Sequence, residues 1–398
     1  MTQRLRWTGV LLSLPFLAVL AAFTLAGCGT APEATIVSQA TPQAQQAESE
    51  APFPLPILEI SGSPEALGTR HGQQLGDTIR SLHNDYLNAY FKSQGQRFLA
   101  LSAAAAFEPR LNPEHLAEIR ALARSSRLPE RQMLLAQCFL DLSPMTACST
   151  VTLPASASPD GVARFGRNLD FPSFDLADTQ TVVQIYRPDD GRHAFMAVGW
   201  PGMAGVLSGM NEHGLTLANM EVRRPSRLPS AMPYILLYRT VLERCSTVEE
   251  AIALLQKTPR QSANNLMLMD ATGDRAVVEL TPDKVHVRRT ESAADPLIST
   301  NHHRGDDCAT SGRCRRFDSL VRATREQPGR IDVASLQSML ADASQDDMTL
   351  QSMVFEPSTR VIYLSAGKDA ARRKFHRLDL KPYFTKPAAK SEPGPNPT

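Results

Sequence analysis

Apolar positions along this chain change their period near residue 145. Between residues 64 and 142, Ala66, Leu67, His71, Leu75, Ile79 and Leu82 recur at spacings of three and four, the period of a helix face. Two later stretches, LNPEHLAEIRALA and LPERQMLLAQCFLDL, each open near a proline followed by an acidic residue, as first helical turns do. After Met145, short runs rich in β-branched and apolar residues take over. CSTVTL, ARFGRNLD, TVVQIY, HAFMAVGW, AGVLSGM and GLTLANM follow one another across Gly, Asp, Pro and Asn turns, which predicts an antiparallel meander. Helices are expected around 234–244 and 248–256. Strands NLMLMD, RAVVEL and KVHVRR come next, the first two joined by Ala271-Thr272-Gly273-Asp274. A helix around 316–323 and a hairpin, QSMVFEPSTRVIYLSA, complete the pattern. Two groups of strands with helices between them predict an α+β fold of stacked sheets with helices outside.

The ends read differently. Arg4 and Arg6 precede an apolar run from Val10 to Leu25 that closes on Leu25-Ala26-Gly27-Cys28. This is the layout of a secretory signal peptide. Its ending resembles a bacterial lipobox, which implies cleavage after residue 27 and a lipid on Cys28. Several acyl chains would then hold the protein on a membrane of the bacterial envelope. Gly29 after the Cys favours the outer membrane. Residues 28–52, rich in Ala, Gln, Pro, Ser and Thr, read as a flexible tether, and 387–398 as a disordered tail. The folded part is then a helical segment, 53–147, and a strand-rich region, 148–386.

Hydrophobic residues make up 42% of the 398, and 21% are charged, a globular composition. Lys and Arg number 42 against 41 Asp and Glu. So even a balance gives no bulk attraction to nucleic acid, and no nucleic-acid partner is expected. The chain has no G-x-S-x-G elbow, G-x-G-x-x-G loop or P-loop, which removes the usual serine-hydrolase and nucleotide-binding signatures.

The chemistry gathers where the pattern changes. Cys148 opens the first strand after the helices, and Arg167 and Asp170 lie in Phe165-Gly166-Arg167-Asn168-Leu169-Asp170. A hairpin turning at Ser158-Pro159-Asp160-Gly161 returns residues 163–169 beside Cys148. Strand alternation leaves open which face each side chain takes. A buried Cys is ordinarily an apolar packer, and Arg167 with Asp170 is also compatible with a plain ion pair. A catalytic role requires the sulfur to lie near Asp170 and Asn301 and to open to solvent.

Taken together, Cys148-Ser149-Thr150, Gly166-Arg167-Asn168-Leu169-Asp170, Asn211-Glu212-His213-Gly214-Leu215 with Ala218-Asn219, and Thr300-Asn301-His302 resemble the N-terminal-nucleophile cysteine hydrolases. The similarity is to the superfamily of acid ceramidase, choloylglycine hydrolase and penicillin acyltransferase. Gly62-Ser63-Pro64, Gly68, His71-Gly72 and Gly76 fit it too, so it spans nearly all of 58–366. The resemblance implies a four-layer αββα sandwich of two antiparallel sheets with an N-terminal helical segment. It implies that the chain cuts itself between Ala147 and Cys148. Cys148 then carries a thiol nucleophile and an α-amine whose pKa near ~8 suits a general base. It implies that Asp170 orients the amine, that Arg167 holds Asp170 and favours the thiolate, and that Asn301 and Asn219 donate to the oxyanion. Arg315 or Arg316 matches a further family arginine, and the register leaves both open.

The activity implied is hydrolysis of linear carboxamides in small-molecule N-acyl compounds through a thioester, with no cofactor. The alternatives are transfer of the acyl group to an amine, or a non-enzymatic envelope lipoprotein that keeps the scaffold as a binding module. Setting aside Cys28 and Cys148 leaves four cysteines of six. Cys308 and Cys314 close a short loop and are a possible disulfide, which would leave Cys138 and Cys245 as the other pair. His302 and His303 near Asp306 and Asp307 lack further ligand spacing, so no metal is expected there. Asn265 reads as structural.

Overall fold

The computed structural model describes residues 53–143, 145–222, 229–305 and 313–385. The signal peptide with Cys28, the tether, Cys308 and the tail lie outside the described residues. The helical period yields four helices, α1 (Pro64–Tyr90), α2 (Gln94–Ala105), α3 (Pro113–Ser126) and α4 (Glu130–Leu142). Ser63 caps α1 by accepting from the Ala66 amide, with Pro64 in the first turn. The glycines of α1 are a packing device. A Cβ on Gly68 would come within 2.0 Å of the Glu118 carbonyl oxygen, and one on Gly72 within 2.0 Å of Ser125 Oγ. Only bare backbone lets α1 and α3 approach so closely.

The strands form two sheets. One has six strands in the order β11-β2-β3-β12-β13-β14: Leu297–Ser299, Ala147–Leu153, Arg164–Asp170, Thr349–Glu356, Val361–Ala366 and His376–Asp379. The other has eight, β1 and then β4 to β10 in chain order. These are Ile57–Gly62, Val182–Pro188, Phe195–Gly199, Ser208–Asn211, Thr216–Glu221, Asn264–Met269, Arg275–Leu280 and Val285–Arg288. The expected single meander is therefore divided: β2 and β3 stay in the smaller sheet, and the chain crosses to the larger one at β4. The sheets are also not wholly antiparallel, because β1 pairs with β4 in parallel, Ile57 opposite Val183. The stretch expected to be helical thus donates a strand. Ile57, Leu58 and Ile60 form too short an apolar run to show a period before the first helix.

The sheets meet face to face, β2 against β7. α1, α5 (Tyr234–Arg244) and α6 (Val248–Lys257) cover the larger sheet, while α7 (Arg315–Glu326) and α8 (Val333–Asp342) cover the smaller. That is the α/β/β/α layering expected. The helical segment and the strand-rich region fall in one compact unit. Their contact includes a buried ionic cluster. Glu118 of α3 accepts from both terminal nitrogens of Arg239 on α5, at 2.8 and 2.6 Å. Arg239 Nε and Arg192 reach Glu243, whose other oxygen lies 2.9 Å from His115 Nε2. Burial works against the Glu243 charge, but Arg239, His115 and Arg192 hold its carboxyl below the usual range. Cys138 and Cys245 are separate free thiols, which corrects the expected second pair; Cys314 is buried, and its possible partner Cys308 lies outside the described residues. Among the described residues, no helix is long and apolar enough to cross a membrane.

Candidate active site

The β2–β3 hairpin turns where expected, with the Gly161 amide donating to the Ser158 carbonyl. Its register sets Cys148 opposite Leu169, Thr150 opposite Arg167 and Ala147 opposite Asp170. Opposed residues share a face, so Cys148, Thr150 and Arg167 look the same way. That way is toward the larger sheet: Thr150 Oγ1 lies 3.4 Å from Met220 Sδ, and Arg167 Nε donates to Ser208 Oγ at 3.2 Å. Both terminal nitrogens of Arg167 are buried without a hydrogen-bond partner.

Asp170 lies at the alternate position, opposite Ala147. The expectation that Arg167 holds it is corrected: the ion pair of Asp170 is with Arg316, at 3.2 Å. Thr349 Oγ1 donates to one Asp170 oxygen at 2.6 Å, and Gln345 Nε2 to the other at 2.8 Å. Burial raises the Asp170 pKa; Arg316, Gln345 and Thr349 act against that rise, and the nearby Arg167 charge adds to their effect without an ion pair. Neither Gln345 nor Thr349 belongs to a motif, so sequence reasoning missed both.

Arg316 is the hub. Its Nη1 donates to the Cys148 carbonyl and to Asp170, and its Nη2 donates to Asn301 Oδ1 at 3.0 Å. Arg315, one step along α7, is exposed at the surface. One residue is about 100° of helix rotation, so only one of the two can face the hairpin. The open register thus resolves to Arg316. Arg316→Ala should slow any reaction at Cys148 by about 10²–10³, the usual effect of losing one charged donor. Arg315→Ala should stay within about twofold, as exposed substitutions do. Turnover of both variants is the check, and equal losses would remove Arg316 from the site.

Asn301 is brought to the hairpin, but with another bonding pattern than expected. Its Oδ1 accepts from the Cys148 amide at 2.7 Å, and its Nδ2 donates to the Glu221 carbonyl at 2.7 Å. In the intact chain, Asn301 and not Asp170 is the acceptor for the Cys148 nitrogen. Asn265 fixes this loop by donating to the Thr300 and His302 carbonyls, both at 2.8 Å. Asn219 lies on β7, the strand packed on β2, and makes no hydrogen bond to these groups. Its amide is fully buried with both polar atoms unpartnered, an arrangement that ordinarily calls for a missing partner.

The sulfur lies within electrostatic reach of Arg167, Asp170 and Arg316, and Asn301 bonds the Cys148 backbone amide rather than the sulfur, but the residue is 0% exposed. In the intact chain it therefore has no opening to solvent, against expectation. Burial raises the thiol pKa; Arg167 and Arg316 favour the thiolate, while Asp170 opposes it. Just upstream in the chain, Glu221 accepts from the Met145 and Thr146 amides, each at 3.3 Å. An apolar cavity of about 110 Å³ is lined by Tyr86, Leu87 and Phe139 from the helical segment and by Phe171, Trp200 and Ile235 from the strand-rich region. Phe171 directly follows Asp170.

The model of the acyl-coenzyme A:6-aminopenicillanic acid acyl-transferase family matches residues 157–371, more than half of the chain. Protein dcd1A of Dictyostelium discoideum is 22% identical over 380 residues, covering 82% of this chain and 85% of that one. Among solved structures, a mutant form of conjugated bile acid hydrolase from Clostridium perfringens aligns at 17% identity and a TM-score of 0.44, over 59% of this chain and 93% of that one. The Caenorhabditis elegans ortholog of N-acylethanolamine-hydrolyzing acid amidase aligns at 18% and 0.43, over 53% and 93%. The chain belongs to the acyl-coenzyme A:6-aminopenicillanic acid acyl-transferase family.

Proposed function

We propose that this protein is a self-activating amidohydrolase whose nucleophile is Cys148. The observation that carries the proposal is the bonding of one residue: the Cys148 amide on Asn301, its carbonyl on Arg316, and the Arg167 cation on its side-chain face.

In the first step, Cys148 Sγ attacks the Ala147 carbonyl carbon. The C–N bond breaks, the nitrogen takes a proton, and a thioester links Ala147 to the sulfur. Water then hydrolyses the thioester, leaving a carboxylate on Ala147 and a free thiol and α-amine on Cys148. The proposal requires that release of the upstream strand end uncover the sulfur, which is buried in the intact chain. With substrate, the amine accepts the thiol proton and later gives it to the leaving amine. Asn219 supplies the unengaged amide for the oxyanion, since the Asn301 amide is occupied by the Glu221 carbonyl. The aromatic and aliphatic lining of the cavity beside Phe171 supports an apolar acyl group on the substrate.

The acyl transfer for which the matched family is named favours a second reading, in which the thioester passes its acyl group to an amine. Incubating processed enzyme with a panel of N-acyl amides, with and without an amine acceptor, separates the two by mass spectrometry. Free fatty or aryl acid without acceptor is expected. New amide with no free acid would make transfer the activity, and neither product would defeat both readings. The lipobox-like ending at Cys28 supports a lipid anchor outside the cytoplasm as part of this proposal.

A further inference from the structure

A second cluster of chemistry-bearing side chains lies in the turns at one end of β5 and β6. His193 precedes β5, while Glu212 and His213 form the turn between β6 and β7. One ligand atom from each of the three lies within 4.8 Å of the others. His213 Nε2 is 3.2 Å from His193 Nδ1, and that Nδ1 is 3.8 Å from Glu212 Oε1. Ligands at about 2.0–2.1 Å around a tetrahedral ion stand about 3.3 Å apart; the 3.2 Å pair matches that spacing, and the 3.8 Å pair is about half an ångström wider.

The backbone holds them there. The His193 amide donates to the Glu243 carbonyl, and the Glu212 amide to the Ala194 carbonyl, both at 2.9 Å. Glu212 Oε1 accepts from the Ala194 amide, and Arg360 Nε donates to the Glu212 carbonyl. The His213 amide donates to Asn211 Oδ1, while Asn211 Nδ2 is tied to the Leu242 and Cys245 carbonyls. His193 Nε2 lies 3.5 Å from Ser246 Oγ, a partner that would keep the proton on Nε2 and leave the Nδ1 lone pair for a ligand.

We infer that His193, Glu212 and His213 bind one zinc-class divalent ion, with a water in the fourth position. Two imidazoles and one carboxylate select zinc and its late transition-metal neighbours over magnesium and calcium. The ion would fasten the loop before β5 to the β6–β7 turn, the hairpin that carries Ser208 and Asn219. Without metal, the same 3.2 Å contact is a hydrogen bond between the two rings.

The test uses untagged full chain stripped with chelator. Zinc is titrated against a chromophoric competitor, and imidazole ¹⁵N shifts are followed by NMR. Expected is one more bound equivalent in the wild type than in the H193Q/H213Q double variant, with His193 and His213 shifting together. The single variant His213→Gln should bind at least about 100-fold more weakly, since even loss of a partner behind a ligand costs about 10–100-fold. His213 is exposed, so this variant keeps the fold, which circular dichroism verifies. Equal zinc uptake by wild type and double variant, or no shift of the two rings in the wild type, would overturn the assignment.

Discussion

Cys148→Ala is expected to give a chain that is never cut and an enzyme slower by about 10⁴ or more, the range found when a catalytic nucleophile is deleted. The two losses share one cause, because the same sulfur performs both steps. Intact mass spectrometry reads the first: wild type should give fragments ending at Ala147 and starting at Cys148, the variant a single species. Turnover of an N-acyl amide reads the second. Thiol alkylation adds a third measure, since Cys148 is fully buried in the intact chain and should react only after cleavage. A variant that is still cut at 147/148, or keeps full turnover, would end the proposal. The variant should fold normally, because alanine keeps the Cβ of the Cys side chain and adds no atom.

Arg239→Met is expected to produce the largest loss of stability. The guanidinium is wholly buried and donates four hydrogen bonds, two to Glu118 and one each to Glu243 and the Ala204 carbonyl. It also stacks 4.6 Å over the Tyr186 ring. Deleting it leaves Glu118 charged and uncompensated, a situation that costs about 3–5 kcal/mol. A fall in Tm of at least about 5 °C, or loss of soluble protein, is expected. The paired change Glu118→Leu with Arg239→Met should restore much of this, because no orphan charge is left behind. A Tm within about 1 °C of wild type for Arg239→Met would show that the cluster does not hold the two segments together.

The legible parts of this molecule are those with a period or a motif. Helix 234–244 can be read to the residue, because its apolar positions and its Pro233 start are unambiguous. The strands flanking 271–274 are equally clear. β11 and β14, at three and four residues, carry too few positions to show alternation. The division of the meander between two sheets is invisible, since each strand reads alike wherever its partner lies. In the site, Cys148, Arg167, Asp170 and Asn301 stand out through motif resemblance. Their bonding is not readable: the partner of Asp170 is 146 residues away on α7, and the choice of Arg316 over Arg315 is a matter of helix rotation. Gln345 and Thr349 are common residues in unremarkable sequence, and only the tertiary fold gives them a role.

β1 gives the upstream portion a lasting place in the architecture. All six of its residues run alongside β4 from Ile57–Val183 to Gly62–Pro188. A nick at 147/148 therefore frees no diffusible propeptide, for its rim strand stays laced into the sheet. Under the proposed self-cleavage, the product would be a heterodimer born from one message. Expression beginning at residue 148 would instead yield a body with a raw seam along Val182–Pro188, open to zippering onto any neighbouring chain.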